Sequence, residues 1–177
     1  MLRLAYLVTH PIQYQAPLLR RVAAEPDIDL TAFFGSDFSV RSFTAGEFNR
    51  VIEWDVPLVE GYKHEFLPEL AFKAPPGQIP PLDFWRPLNH GLARRLEAGE
   101  FDAIWIHGYA RWLHWTAMAS AKRRGIKVLL RDEATPISAP RSAAKQLAKR
   151  AFFAGLGQMV DAFLAIGTLN RRYYLDN

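Results

Sequence analysis

The chain has 177 residues, half of them hydrophobic, which is enough for one domain that buries roughly 70% of the surface its unfolded form exposes. It carries 22 lysine and arginine residues against 18 aspartate and glutamate residues, for a net charge of +4. Because the basic residues are scattered along the chain, no nucleic-acid partner is expected. The absence of cysteine excludes disulfide bonds, thiolate zinc sites and thiol nucleophiles.

Five short, nearly continuous apolar runs predict β-strands. Because such strands are buried on both faces, they indicate a parallel sheet covered by helices. The predicted strands are Leu2–Val8, Ile28–Phe34, 101–106, 126–130 and 161–166. No run reaches the roughly 18 residues that a membrane span needs. Arg3 and His10 interrupt the apolar N-terminal segment, which also lacks the cleavage site of a signal peptide. We therefore expect a soluble, cytoplasmic protein.

Helical patterns alternate with these strands. Large apolar residues recur at spacings of three and four between a helix cap at Asp83 and a stop at Gly99, at positions 85, 88, 92 and 96. A second helix is predicted over 111–124, where three basic residues followed by Gly125 favour a helix C-terminus. Two further helices are predicted over 138–153 and 168–177.

The alternation of strands and helices predicts an α/β fold for the single domain 1–177, with a doubly wound, mostly parallel sheet of the Rossmann-like kind. Residues 35–81 interrupt this pattern because they are rich in proline, phenylalanine and glycine. We expect one short strand near 64–67 in that region and otherwise irregular loops, which are often functional when they are long.

In doubly wound sheets, ligands bind beyond the carboxyl ends of the strands. Three polar or aromatic sequences follow predicted strands: THPIQYQ from residue 9, HGYARW from residue 107 and RDEA from residue 131. Their side chains can hydrogen-bond hydroxyl groups, and the rings of Tyr109 and Trp112 can stack on a sugar or a base. The candidate substrate-binding residues are therefore His10, Gln13, Tyr14, Tyr109, Arg131, Asp132 and Glu133, together with His107.

The standard motifs for phosphates, metals and nucleophilic catalysis are missing. Gly155 and Gly157 are not followed by the third glycine of G-x-G-x-x-G, and G-x-x-x-x-G-K is absent. The sequence also lacks G-x-S-x-G, H-E-x-x-H and a carboxylate-rich calcium loop. His107 and His114 have no third metal ligand at a suitable spacing. We therefore predict no metal and no other cofactor.

Several of these residues also have a structural interpretation. His10 precedes a proline and could satisfy backbone groups in a tight turn. The segment 131–133 could be a solvated charge cluster, and Trp112 and Trp115 could belong to the core. His107 is better placed for function, because it ends a strand and precedes Gly108 at the edge where ligands bind.

The predicted helix over 138–153 has one basic and one apolar side. Arg141, Lys145 and Lys149 are spaced by four residues, and the apolar stripe opposite them consists of Ala144, Leu147, Ala151 and Phe152. This pattern is typical of an ordinary surface helix. It would also suit a helix that rests on anionic lipid, so contact with the inner face of a membrane stays open.

The sequence FDAIWIHGYARWLHWTAMASAKRRGIKVLLRDEA (101–134), followed by VDAFLAIGTLNRRYYLDN (160–177), resembles the N-terminal domain of GT-B glycosyltransferases of the retaining group called glycosyltransferase family 4. The resemblance is carried by a strand that ends in a histidine, a G-I-K-V strand that ends in polar residues, and a D-x-hydrophobic-x-A strand that leads into a helix. It covers nearly the whole chain.

The resemblance implies an enzyme that transfers a sugar from a nucleotide-sugar donor to a glycan, a lipid or a small molecule. It implies that His107 is catalytic and lies beside the donor sugar, and that this domain binds the acceptor, with THPIQYQ in place of a glycine-rich first loop. The nucleotide-sugar site would belong to a C-terminal domain beyond residue 177, so the fragment alone is expected to be inactive. The alternative is a non-catalytic binding or interaction module of the same fold.

Overall fold

The computed structural model of the protein describes residues 1–45, 50–70, 77–137 and 143–177. In chain order its elements are β1 (Leu2–Val8), α1 (Ala16–Ala23), β2 (Ile28–Phe34), β3 (Phe43–Ala45), β4 (Arg50–Ile52), β5 (Lys63–Phe66), α2 (Leu92–Ala98), β6 (Ala103–His107), α3 (Trp112–Arg123), β7 (Lys127–Arg131), α4 (Ala143–Gly157), β8 (Ala162–Phe163) and α5 (Thr168–Asp176). A turn of 3₁₀-helix at Phe38–Val40 precedes β3.

Six strands form one parallel sheet in the spatial order β5-β2-β1-β6-β7-β8. The strand order therefore reverses between β1 and β6, where the second half of the domain begins. This is the strand order of the dinucleotide-binding Rossmann fold, in which the crevice for a ligand opens at the point of reversal. The predicted doubly wound α/β fold is confirmed. A separate antiparallel pair, β3 and β4, lies in the region between β2 and β5.

Side chains of the central strands alternate between two cores, one on each face of the sheet. In β1, Ala5 and Leu7 belong to the core that also contains residues of α2, α3, α4 and α5, whereas Leu4 and Tyr6 belong to the core with Leu19 of α1. All five residues are buried. Burial on both faces explains why the strand is continuously apolar from Leu4 onward.

The helix predicted from Asp83 to Gly99 is wrong in its first half, because α2 begins only at Leu92. The Asp83 carboxylate does accept backbone N–H groups, those of Trp85 and Arg86, as a helix cap would. However, Pro87 has no N–H and disfavours a helical conformation for the residue before it. Gly91 then adopts a φ of 83°, which is incompatible with a continuous right-handed helix.

The remaining predicted elements agree with the structure more closely. Helices α3 and α5 and the short strand β5 are confirmed, and Gly125 adopts the left-handed conformation with a φ of 72° after α3. The strand predicted over 161–166 is reduced to Ala162–Phe163. Helix α4 continues to Gly157, past the predicted end, and the predicted start at 138–142 lies outside the described residues. In the described part of the chain, every helix is too short or too polar to cross a membrane.

Candidate functional site

The carboxyl ends of β1 and β6 meet at the reversal of strand order, and five side chains come together there. We call them the switch-point cluster: Tyr6, Tyr14, Gln15, His107 and Glu133. Tyr6 lies in β1, Tyr14 and Gln15 lie in the turn that leads to α1, His107 ends β6, and Glu133 follows β7. Three of the five, Tyr14, His107 and Glu133, were predicted as site residues from the sequence.

The side-chain amide of Gln15 contacts the imidazole of His107. Its side chain is almost fully buried, and its Nε2 lies 2.7 Å from Nδ1 and 3.1 Å from Nε2 of His107. The hydroxyl of Tyr6, also fully buried, donates to Oε1 of Gln15. That bond orients the amide so that its NH₂ group faces the ring and can donate to whichever ring nitrogen of neutral His107 lacks the proton.

His107 is neutral at physiological pH. Burial of the ring, and after it the positive charge of Arg131, lower the pKa of His107 from 6.5 to about 4, although Glu133 acts in the opposite direction. A neutral imidazole carries one N–H donor and one nitrogen acceptor. The fold thus presents a neutral ring at the end of β6 rather than a cation.

The carboxylate of Glu133 lies beside the His107 ring and can accept hydrogen bonds. Its Oε1 atom lies 3.7 Å from Nε2 of His107 and accepts a 2.6 Å hydrogen bond from the hydroxyl of Tyr14. Partial burial and this bond raise the pKa of Tyr14 to about 12, so its hydroxyl keeps its proton. The side chains of Tyr14 and Glu133 are both about half exposed, so a ligand can reach them. A hydroxyl group, which both donates and accepts, suits the space between His107 and Glu133.

The turn between β1 and α1 offers little to a phosphate. Phosphate-binding turns of this fold use free N–H groups at the start of the helix. Here the N–H groups of Gln15 and Ala16 both donate to the carbonyl oxygen of Ile12, and the next residue, Pro17, has no N–H. The structure therefore agrees with the sequence in giving this turn no glycine-rich cradle.

His10 lies in the same turn but packs against an aromatic ring. Its ring centroid is 4.5 Å from that of Phe38, and its Nδ1 is 3.1 Å from Oγ1 of Thr9. Burial, and then the nearby charge of Arg111, lower the pKa of His10 to about 4. Gln13 is half-buried, and within the described residues no hydrogen bond joins it to the switch-point cluster.

Arg131 and Asp132 lie near the cluster but are engaged in other contacts. The guanidinium carbon of Arg131 lies 5.8 Å from the centre of the Trp105 ring. Oδ1 of Asp132 accepts hydrogen bonds from the N–H of Ala134 and the hydroxyl of Tyr174. Asp132 thus ties the end of β7 to α5, and its predicted role in acceptor binding stays a prediction.

Tyr109 points away from the cluster, towards α4 and α5. Its hydroxyl accepts a 2.9 Å hydrogen bond from Nζ of Lys149, which also lies 4.9 Å from the centre of the Phe153 ring and 5.8 Å from that of Tyr173. Lys149 is therefore held among aromatic rings, where the cation is attracted to their faces. It is not directed outward as a lipid-binding side chain would be.

Trp112, which the sequence indicated as a stacking residue, belongs to an exposed aromatic cluster whose other members the sequence did not indicate. Phe84, Trp85 and Trp112 are each 40 to 58% exposed, and the centroids of the two indole rings are 5.4 Å apart. The N–H of Trp112 donates to the carbonyl oxygen of Phe84, so the rings are anchored to the start of α3. Exposed rings of this kind can stack on a sugar face.

Gln15 and Tyr6 are the site residues that sequence reasoning missed. A tyrosine in an otherwise aliphatic strand was a usable signal, because a buried hydroxyl needs a partner. Gln15 carried no such signal, since it stands two residues from Gln13 in the same polar segment. Among the described residues, no three histidine, aspartate or glutamate side chains are grouped as metal ligands.

A comparison of the chain with models of known protein families and with curated proteins gives no match in either case. The functional argument therefore depends on the fold, the geometry of the site and the resemblance described above.

Proposed function

We propose that this chain is the acceptor-side domain of a glycosyltransferase, with its catalytic centre at the carboxyl ends of β1 and β6. In this proposal His107 is the catalytic residue that contacts the donor sugar, and Tyr14 and Glu133 bind the acceptor. A second domain of the same protein supplies the groups that hold the nucleotide diphosphate. The resemblance of 101–134 and 160–177 to the GT-B N-terminal domain and the doubly wound sheet both support it.

The observation that carries the proposal is the contact of Gln15 with His107. The contact holds a neutral imidazole whose Nε2, assigned the ring proton in this proposal, lies 3.7 Å from Oε1 of Glu133, at the place where this fold binds its ligands. A sugar presents many hydroxyl groups, each of which donates and accepts. A fixed donor beside a fixed acceptor therefore fits a sugar better than it fits a phosphate or a metal ion.

The chemistry follows from the charge state of His107. Because its N–H is neutral and held in place, it can hydrogen-bond a hydroxyl of the donor sugar while the bond to the leaving phosphate breaks. A donor that is already oriented costs no reorganisation in the transition state and is strengthened by the exclusion of water. Glu133 accepts a hydrogen bond from a hydroxyl group of the acceptor and so orients the acceptor.

The occupied N–H groups of the first turn support the assignment of the diphosphate to another domain. Calorimetry on this chain with UDP and with GDP tests that part. We expect no binding tighter than about 1 mM, since the groups that neutralise the diphosphate would be absent. Micromolar binding of either nucleotide would contradict the assignment.

The activity itself is tested on the protein encoded by the complete reading frame. That protein is incubated with a panel of UDP-sugars and GDP-sugars, with and without simple glycosides as acceptors. Release of the nucleotide that depends on an added acceptor, with a glycosylated product found by mass spectrometry, would support the proposal. No transfer from any sugar nucleotide of the panel would count against it.

A non-catalytic module bound to a membrane is the second candidate, and α4 provides the observation in its favour. Leu147 is 70% and Phe152 is 38% exposed on this helix. Against it, Lys149 is held by aromatic rings. Arg141 lies outside the described residues, and its place on the basic side of the helix stays a prediction. Flotation with vesicles that contain anionic lipid tests it: binding that Leu147→Gln abolishes would favour this candidate, and the absence of binding would eliminate it.

A further inference from the structure

A cavity of about 280 Å³ lies beside the switch-point cluster and has no part in the chemistry described above. We call it the His10 pocket. Among the described residues its walls come from the β1–α1 turn, the 3₁₀ turn, β3 and the loops at 54 and 79–82, chiefly through His10, Ile12, Phe38, Phe43, Trp54 and Ile79. Its volume is close to the lower end of the range for small-molecule sites.

Four rings form one continuous wall of the pocket. Successive ring centroids are 4.5 Å apart from His10 to Phe38, 5.5 Å from Phe38 to Phe43 and 6.1 Å from Phe43 to Trp54. Ile79, which is 40% exposed, stands at its open side. Such walls give water few hydrogen bonds, so an apolar group gains by displacing it.

The polar atoms of the pocket are few. The hydroxyl of Ser39 donates to the carbonyl oxygen of Pro11 and is occupied. The indole N–H of Trp54 is buried and so is not open to a ligand. The lining therefore suits a hydrocarbon group.

His10 connects this pocket with the catalytic crevice. It belongs to the pocket wall, and it lies in the turn that also carries Tyr14 and Gln15. One acceptor can therefore place a hydroxyl against Tyr14 and Glu133 and extend an apolar group past His10.

We propose that the His10 pocket binds an apolar group attached to the acceptor, so that the acceptors of this enzyme are alcohols or glycosides with a hydrocarbon substituent. The inference rests on the proposed function for the identity of the acceptor, but the affinity of the pocket for hydrocarbon can be measured by itself.

The test is calorimetry of this chain with methyl, propyl and hexyl β-D-glucoside. If the substituent enters the pocket, Kd should fall by about fourfold for each methylene added. Ile79→Gln, at a partly exposed position that keeps the core intact, should remove this gain. The matched control is Leu147→Gln, an equally mild change of an exposed residue on α4, which should leave the gain unchanged. Thermal melting verifies that both variants are folded.

A Kd that does not change with chain length, or a gain that survives Ile79→Gln, would overturn the inference. Phenyl β-D-glucoside distinguishes the source of the hydrocarbon: tighter binding than the hexyl compound assigns the pocket to an aromatic ring, and weaker binding assigns it to an alkyl chain. Glu133→Gln separates this inference from the proposed function, because Glu133 is the residue assigned to the acceptor. If it weakens methyl β-D-glucoside while the gain per methylene persists, both hold. If it changes nothing while the gain persists, the pocket stands and the acceptor-binding role of Glu133 fails.

Discussion

Nε2 of Gln15 lies 2.7 Å from Nδ1 of His107, although the two residues are 92 positions apart. The contact joins the turn after the first strand of the sheet to the end of its fourth strand along the chain. It ties the orientation of the His107 ring to a buried amide, and so it can be tested without knowledge of any substrate.

We expect Gln15→Glu to raise the pKa of His107 above its wild-type value of about 4. The new carboxylate would replace a neutral donor next to the ring and so favour the imidazolium form. The matched control is Gln13→Glu, which adds the same charge in the same turn outside the switch-point cluster and should change the pKa much less. NMR titration of the His107 ring protons measures both. A wild-type His107 that titrates near 6.5 would contradict the described geometry.

The stability of the protein should fall as the solution is acidified from pH 6.5 to about 4. Burial lowers the pKa of His10 and His107 to about 4 and that of His114 to about 3. Between these values and 6.5, the unfolded chain binds protons that the folded chain does not, so the free energy of unfolding decreases with falling pH. The slope for each histidine is up to about 1.4 kcal/mol per pH unit. Urea unfolding at pH 7.0, 5.5 and 4.5 measures it, and equal stability at the three values would refute it.

His114→Leu should stabilise the folded protein. The ring of His114 is buried at the start of α3, and within the described residues neither of its nitrogens has a hydrogen-bond partner. An apolar side chain of similar size removes the cost of burying an unpaired N–H, about 1 kcal/mol or more. The variant should also show a smaller loss of stability at pH 4.5 than the wild type. A variant less stable than the wild type at pH 7 would indicate that the ring has a partner.

Two glycines should respond differently to the same substitution. Gly108 and Gly125 both have a positive φ, of 95° and 72°, but a Cβ at Gly108 would lie 3.2 Å from the His114 ring, whereas one at Gly125 would have nothing within 4 Å. Gly125→Ala should cost about 1 kcal/mol for backbone strain alone. Gly108→Ala should cost about 2 kcal/mol or more, because a close contact is added. Equal losses on chemical denaturation would contradict this difference.

The fold could be predicted from the sequence because its strands are coded locally. Leu2–Val8 is apolar except for Arg3 near its exposed start, and a strand covered on both faces explains that pattern. The predicted helix over 83–99 was wrong in its first half, because single residues there override the periodic pattern. The spacing of its leucines was periodic, but Pro87 and Gly91 set the backbone conformation residue by residue, and α2 begins only after them.

The site could be predicted only in part. Three site residues end or follow a strand at the edge where ligands bind: His107, Tyr14 and Glu133. Their positions in the sequence were therefore enough to predict that they lie close together. The role of Gln15 depends on the depth to which its side chain is buried and on the register of β1 against β6, neither of which is visible in the segment THPIQYQ. Tyr109 follows the same strand as His107, but its hydroxyl contacts Lys149 of α4 and not the switch-point cluster. The spacing of residues along the sequence does not show this orientation.

The most direct test of the account is the steady-state kinetics of His107→Asn in the protein encoded by the complete reading frame. The matched control is His90→Asn, at an exposed histidine in the loop before α2. We predict that His107→Asn lowers kcat and kcat/KM together by about a hundredfold or more, since a donor that acts in the transition state is removed, while thermal stability stays close to that of the control. A folded His107→Asn enzyme with a near-normal kcat would contradict the catalytic role of His107.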